Sequence, residues 1–176
     1  MTIKVFEKTP GCLPEIIEKG DWIDLKVSQD VVLKTPFAAT LHRKRKDVGE
    51  ERVRMVSFDS TLLPLGIAMQ LPKGYEAYLV VRSSSFKKWG IVQTNSMGII
   101  DNTYSSEKDE WKLPVLATRY VTIPKGTRIA QFRIQLSQKA TIWQRIKWLF
   151  TNSIKIEKVE HLDNEERSGF GSTGEK

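Results

Sequence analysis

Over most of the chain apolar and polar residues alternate at intervals of two, the spacing of half-buried strands. Residues 2–6 alternate, and residues 22–27 and 31–33 are rich in Ile, Val and Leu. Only Ser28, Gln29 and Asp30 separate these last two runs, which predicts that they pair. Residues 62–71 read L-L-P-L-G-I-A-M-Q-L and lead into Pro72-Lys73-Gly74, a turn in which proline presets φ and glycine accepts a positive one. The next strand is 75–81. A second Pro-Lys-Gly turn at 124–126 lies between 120–123 and 128–136, so the pattern predicts two hairpins made with one device. Many short strands with turn signals at this spacing predict an all-β sandwich or jelly roll, and nothing supports a βαβ repeat.

Three stretches depart from that pattern. In 35–59, charge and Gly49 end the alternation after Leu41, which predicts an extended loop or long hairpin with a solvated basic tip. Ile142, Trp143, Ile146, Leu149 and Phe150 recur at helical spacing with Gln144, Arg145 and Lys147 opposite, which predicts a short amphipathic helix. The expectation is that its apolar face docks on the sheet, rather than meeting a membrane surface or partner; Trp148, on the more polar side, does not fit. Residues 163–176, D-N-E-E-R-S-G-F-G-S-T-G-E-K, are too polar and glycine-rich to pack a core. They are expected to form a mobile arm.

With 176 residues the chain is expected to form one domain, 1–162, followed by that arm. The net charge of +7 suggests polyanionic partners, and much of the excess lies in His42, Arg43, Lys44, Arg45 and Lys46 with Arg52 and Arg54. Because aromatic residues are not interleaved with these charges, a solvated loop is favoured there over a nucleic-acid surface. A single cysteine, Cys12, and two histidines exclude an internal disulfide and a structural zinc site. No run has the length of a membrane span and no signal peptide opens the chain, so a cytoplasmic protein with no membrane partner is expected.

Residues 94–107, T-N-S-M-G-I-I-D-N-T-Y-S-S-E, have the pattern of a β-hairpin that carries a site, with the carboxylate of Asp101 closing the run of Ile99 and Ile100. Taken alone, Asp101 reads first as a turn residue that caps a strand; the motifs elsewhere in the chain reverse that preference. Arg82, Ser83, Ser84 and Ser85 end a strand with a cation and neutral donors, the combination that phosphate oxygens need. In 169–174, G-F-G-S-T-G, glycines let the backbone approach closely, Ser172 and Thr173 offer hydroxyls, and Phe170 offers a face on which a base can stack. This is not a Walker loop, since no Gly-Lys-Ser/Thr follows.

In order, D-L at 24–25, R-S-S at 82–84, N-x-x-G-x-I-D-x-x-Y at 95–104, G-x-R-I-A-Q at 126–131 and R-x-G-F-G-S-T-G at 167–174 resemble the five motifs of trimeric dUTP pyrophosphatases (dUTPases). G-D-W-I-D-L and Q-T-N-S-M-G look most like the dUTPases of Bacillus-type bacteria and their phages. The resemblance implies a dUTPase-like jelly roll, a homotrimer whose sites are built from all three chains, and hydrolysis of dUTP to dUMP and pyrophosphate with Mg²⁺. It implies that Asp101 holds and deprotonates the attacking water, that Asn95 and the backbone of Ile99 and Ile100 pair with uracil, and that Tyr104 packs under the deoxyribose. Arg82, Ser83, Ser84 and Gln131 would contact the phosphates, and Asp24, with Asp21 as the alternative, would touch Mg²⁺ through water. Arg167, Ser172 and Thr173 would grip the γ-phosphate while Phe170 covers the base as the arm closes. Segments of about 38–56 and 139–153 look like insertions that could hold a protein partner. The alternatives are a same-fold dCTP deaminase, or a protein acting mainly as a phage-type regulatory binding module.

Overall fold

The computed structural model describes residues 1–45, 47, 49–151, 153–162 and 164–167. In chain order the first strands are β1 (Thr2–Glu7), β2 (Glu15–Ile16), β3 (Ile23–Lys26), β4 (Val31–Leu33), β5 (Phe37–Arg45), β6 (Gly49–Ser57), β7 (Ser60–Pro64), β8 (Ile67–Gln70) and β9 (Tyr75–Val81). Helix α1 (Ser85–Trp89) precedes β10 (Ile91–Gln93), β11 (Gly98–Asp101), β12 (Lys112–Ala117), β13 (Val121–Ile123) and β14 (Arg128–Leu136); helix α2 (Ile142–Leu149) and β15 (Lys155–Val159) follow. The alternation read from the sequence therefore marks real strands, with β9 and β14 at their expected limits.

The central sheet has the order β11-β9-β14-β3-β2. Two three-stranded sheets, β15-β1-β8 and β10-β12-β7, and the pair β13-β4 complete the body, while β5 and β6 pair only with each other. Every sheet of the body sends buried residues inward: Leu25, Leu79 and Phe132 from the central one, Ile3, Val5 and Met69 from the second, Leu63, Leu113 and Ile91 from the third, Leu33 and Ile123 from the pair. Trp111 closes this core edge-on against Phe132, with ring centroids 5.3 Å apart, a favoured aromatic geometry. The β5–β6 ribbon is the long hairpin expected of 35–59, and none of its described side chains belongs to the core.

The strands are where the pattern puts them, but four expected pairings are not made. β3 pairs with β14 and β2, and β4 with β13, so the two runs parted by Ser28, Gln29 and Asp30 do not pair with each other. Both Pro-Lys-Gly turns form, with Gly74 at φ 86° and Gly126 at φ 80°. Neither closes a hairpin, because β8 pairs with β1 while β9 joins the central sheet, and β13 pairs with β4 while β14 joins the central sheet. The 94–107 stretch likewise does not fold as a two-stranded ladder: β10 lies on β12, and β11 lies on β9. The two Pro-Lys-Gly turns form as their residues predict, whereas in 94–97 the left-handed position falls on Ser96 and not on Gly98. A turn fixes local direction, whereas the burial of both flanking strands decides which sheet each one joins.

Helix α2 forms where its periodicity predicts, and presents the opposite face to the body. Thr141 and Gln144 make a capping box, and the Gln144 Nε2 donates to the Lys73 carbonyl at 2.7 Å. One turn on, Trp148 packs on Tyr75 with centroids 5.6 Å apart. Gln144 and Trp148 are four residues apart and so share a face. Ile142, Trp143, Leu149 and Phe150 are therefore turned outward, each more than 70% exposed. The helical period shows which residues share a face; which face docks is set by the ring of Tyr75 and the open carbonyl of Lys73. Gly74 belongs to the same contact, since a Cβ there would lie 2.4 Å from the Gln144 side chain.

If Trp148 is the anchor, Trp148→Ala should lower the unfolding free energy by about 1–3 kcal/mol, while Trp143→Ala should change it by about 0.5 kcal/mol or less. Denaturant unfolding of both variants checks this, and equal losses would show that the outward face also carries stability.

Candidate active site

The turn of 94–97 crosses from β10 to β11 and is tightly wound. Ser96 adopts a left-handed φ of 58°, and the Met97 N–H donates to the Asn95 carbonyl. Gly98 then opens β11 opposite Leu79, where a Cβ would stand 3.3 Å from that of Leu79. The missing side chain lets the turn lie close on β9. Asn95 is exposed at the tip, Ile99 is exposed, and Ile100 packs partly on the core.

Asp101 ends β11 opposite Glu76. Its Oδ1 accepts from the Thr103 N–H at 2.8 Å and the Thr103 hydroxyl at 2.6 Å, and its Oδ2 accepts from Arg167 Nη1 at 2.5 Å. Partial burial raises the carboxyl pKa, but Thr103 and Arg167 outweigh it and hold the group below its usual 3.8. Asp101 is therefore ionised at neutral pH. Tyr104 packs its ring against the core and donates its hydroxyl to the Glu110 carbonyl at 3.0 Å. Burial, with the nearby carboxylates of Asp109, Glu110 and Glu166, raises its pKa to about 12, so the phenol stays neutral.

Ser105 and Ser106, where the family pattern stops, are buried. They are held by a residue that the sequence did not single out. The Asp109 Oδ2 accepts from the Ser106 N–H at 3.0 Å and from the Arg167 N–H at 3.3 Å, which ties the loop after Tyr104 to the root of the arm. Asn164 Nδ2 donates to the Ser105 carbonyl, and the Glu107 carboxylate accepts from the Leu162 N–H. A carboxylate at 109 carries no periodic or motif signal, because it serves backbone groups contributed by another part of the chain.

A second cluster forms around Asp24, only 3% exposed on β3. Asp24 Oδ1 lies 3.1 Å from Arg82 Nε, and Oδ2 lies 3.4 Å from Arg128 Nη1 with no hydrogen bond of its own among the described residues. Glu15 joins from β2, 3.6 Å from Arg128 and 2.5 Å from Lys26. Gln131 sits opposite Asp24 in the β14–β3 register. Ser84 is the N-cap of α1 without capping it through its hydroxyl, and Ser83 is exposed beside it. This five-residue helix was not legible from the sequence, which reads there as a polar turn. Asp21, by contrast, points away and is paired with Arg133.

The two clusters stand at opposite ends of β9. Asp101 faces Glu76, while Arg82 follows Val81, so six residues of strand, about 20 Å, part them. Asn95, bonded to the Gln93 carboxamide that also holds the Leu79 carbonyl and the Val81 N–H, lies toward the Arg82 end of β9. Within one chain Asp101, Tyr104 and Arg167 come together, as do Asp24, Arg82 and Gln131, with Ser83 and Ser84 next to Arg82 in the chain. The two sets do not meet. Phe170, Ser172 and Thr173 lie outside the described residues.

A family model described as dUTPase matches residues 49–174. The chain is 40% identical over 174 residues to the SPbeta prophage-derived deoxyuridine 5'-triphosphate nucleotidohydrolase of Bacillus subtilis, covering 99% of this chain and 97% of that protein. It is 36% identical to the deoxyuridine 5'-triphosphate nucleotidohydrolase of Hydrogenobaculum, covering 86% of this chain and 96% of the other. Among solved structures, the dUTPase of Streptococcus mutans superposes with a TM-score of 0.60 at 19% identity, covering 80% of this chain and 99% of that one. The dUTPase of Staphylococcus aureus phage phi11, solved as a D95N mutant, does so with a TM-score of 0.60 at 15% identity, covering 81% and 95%. These likenesses carry the jelly-roll fold.

The Asp101 ion pair has a measurable sign. A carboxyl with a depressed folded pKa adds stability above its unfolded value of about 3.9, and that stability is lost as pH falls through the folded value. Arg167→Ala should therefore move the Asp101 titration, followed by carboxyl ¹³C NMR, to higher pH. An unmoved titration would assign the shift to Thr103 alone.

Proposed function

The chain belongs to the dUTPase family, and from that premise we propose that it hydrolyses dUTP to dUMP and pyrophosphate in the cytoplasm. The observation that carries this reading is Asp101, an ionised and half-exposed carboxylate held at the end of β11 by Thr103 and Arg167. Such a group holds a water and takes its proton as the water's oxygen bonds to the α-phosphorus; the bond to the bridging oxygen then breaks and pyrophosphate leaves. Asn95 and the backbone of Ile99 and Ile100 read the uracil edge, and a wrong base edge leaves their polar groups unpaired. The flat, neutral ring of Tyr104 lies under the deoxyribose.

Arg82, Ser83, Ser84 and Gln131 are assigned to the phosphates. In this reading Asp24 is a strut between Arg82 and Arg128 that aims two guanidinium groups outward, since a carboxylate beside both cations holds them in a fixed fork. The same surroundings do not fit a metal held by the protein. Arg82 lies against Oδ1 of Asp24 and Arg128 against its Oδ2, so each oxygen already faces a cation, and the described residues contain no group of three acidic, His or Cys side chains able to hold an ion. The Mg²⁺ expected from the family belongs with the triphosphate itself, and no step above passes through it.

About 20 Å of strand between the two clusters supports a homotrimer in which a site takes Asp101 from one chain and Arg82 from another. Residues 163–176 are proposed to close over the site as an arm, with Phe170 over the base and Arg167, Ser172 and Thr173 on the γ-phosphate.

Pyrophosphate release should be fast with dUTP and at least about tenfold slower with dCTP, dTTP and UTP. Asp101→Asn should abolish turnover while dUTP still binds, and normal turnover would remove Asp101 from the chemistry. Shared sites make a sharper demand. Arg82→Ala and Asp101→Asn, each inactive alone, should regain activity when unfolded together and refolded as mixed oligomers, because some sites then combine an intact Arg82 with an intact Asp101. Mixtures as inactive as their parents would place the whole site in one chain.

A further inference from the structure

Gln93 is the last residue of β10, 8% exposed, and has no role in the five motifs. Its carboxamide is saturated in an unusual way. Oε1 accepts from the Val81 N–H at 3.0 Å; Nε2 donates to the Leu79 carbonyl at 3.1 Å and to Asn95 Oδ1 at 2.8 Å. Because the Val81 amide can only donate, the Gln93 atom facing it must be oxygen, and the atom at the other end must be the NH₂. That NH₂ can only donate, so the Asn95 atom it meets must in turn be oxygen. Two backbone groups on β9 thus determine, through one buried side chain, which end of Asn95 is presented at the tip of the turn: the NH₂.

We propose that Gln93 is a positioning residue that sets the choice of uracil over cytosine by fixing the orientation of the Asn95 carboxamide. The proposal rests on the reading of Asn95 as the residue that meets the base edge. At ring position 4 uracil carries a carbonyl, an acceptor, whereas cytosine carries an amino group, a donor. An Asn95 locked with its NH₂ outward satisfies the first and opposes the second, and a donor facing a donor leaves both unpaired. An unheld asparagine turns over its χ2 at little cost and can serve either base. Gln93 also ties the 94–97 turn of one sheet to the β9 strand of another, which otherwise share no ladder at this point.

Gln93→Glu tests the orientation. The carboxylate still accepts from the Val81 N–H but has no hydrogen to give, so Asn95 is drawn to donate its NH₂ inward and turn its oxygen to the base. Gln93→Met keeps length and volume and leaves Asn95 unheld. Pyrophosphate release from dUTP and dCTP should show the ratio of kcat/KM for dCTP to that for dUTP rising about tenfold or more in the Glu variant and to a lesser degree in the Met variant. The dUTP loss in the Met variant should fall mainly on KM. Damage to the fold alone lowers both substrates together and leaves their ratio fixed. An unchanged ratio in both variants, with Asn95→Ala altering it, would overturn the role of Gln93; an unchanged ratio in Asn95→Ala would overturn the base-reading role of Asn95 itself. Should neither Gln93 variant fold, the wild type still decides: the Gln93 side-chain amide protons should exchange with solvent far more slowly than those of Asn95, and equally fast exchange would overturn the lock.

Discussion

Strand β9 is hydrogen-bonded along both edges, to β11 on one side and β14 on the other, and the chemistry of the molecule is spaced by that fact. A strand paired on both sides cannot slip without moving every side chain of its neighbours to the wrong face. Glu76, Leu79 and Val81 therefore act as fixed marks. Glu76 sets where Asp101 stands, Leu79 seats Gly98 and receives Gln93, and Val81 leads directly into Arg82. The separation of the Asp101 carboxylate from the Arg82 guanidinium is a property of one strand's length.

The cation cluster shows a different constraint. Asp24 is almost wholly buried, and an isolated buried carboxylate is costly to desolvate. Arg82 and Arg128 offset that cost while keeping their outer edges partly exposed. The arrangement draws two like-charged groups close together before any anion arrives, which unshielded guanidiniums would resist. Asp24 makes that crowding tolerable, since it lies against both guanidinium groups.

The sequence made the strands legible because a half-buried strand needs period-two alternation, and it made the site residues legible because several weak motifs occur in one order. What it could not show was partnership. Asp109 is buried by backbone donors from 106 and 167, Gln93 by groups on β9, and α2 docks through Gln144 and Trp148 because Lys73 and Tyr75 await them. None of these leaves a trace in local spacing, since each depends on a residue far away in the chain. The Pro-Lys-Gly turns make the same point for topology: their glycines adopt the positive φ expected of them, yet the strands on either side enter different sheets.

The contact between Asp101 and Arg167 joins these threads. On the proposed reading both residues have work to do with substrate, one toward water and the other toward the γ-phosphate, and in the structure without substrate they satisfy each other. A half-exposed pair of this kind contributes little net stability, so a triphosphate carrying several charges competes for the guanidinium effectively. Loss of the pair leaves Asp101 with its two bonds from Thr103, still favouring the ionised form, and with Oδ2 turned to the site. The backbone of Arg167 meanwhile stays fastened to Asp109, so the arm can change what its side chain holds without losing its root. Asp109, which carries no motif, is thus the fixed point from which the arm departs.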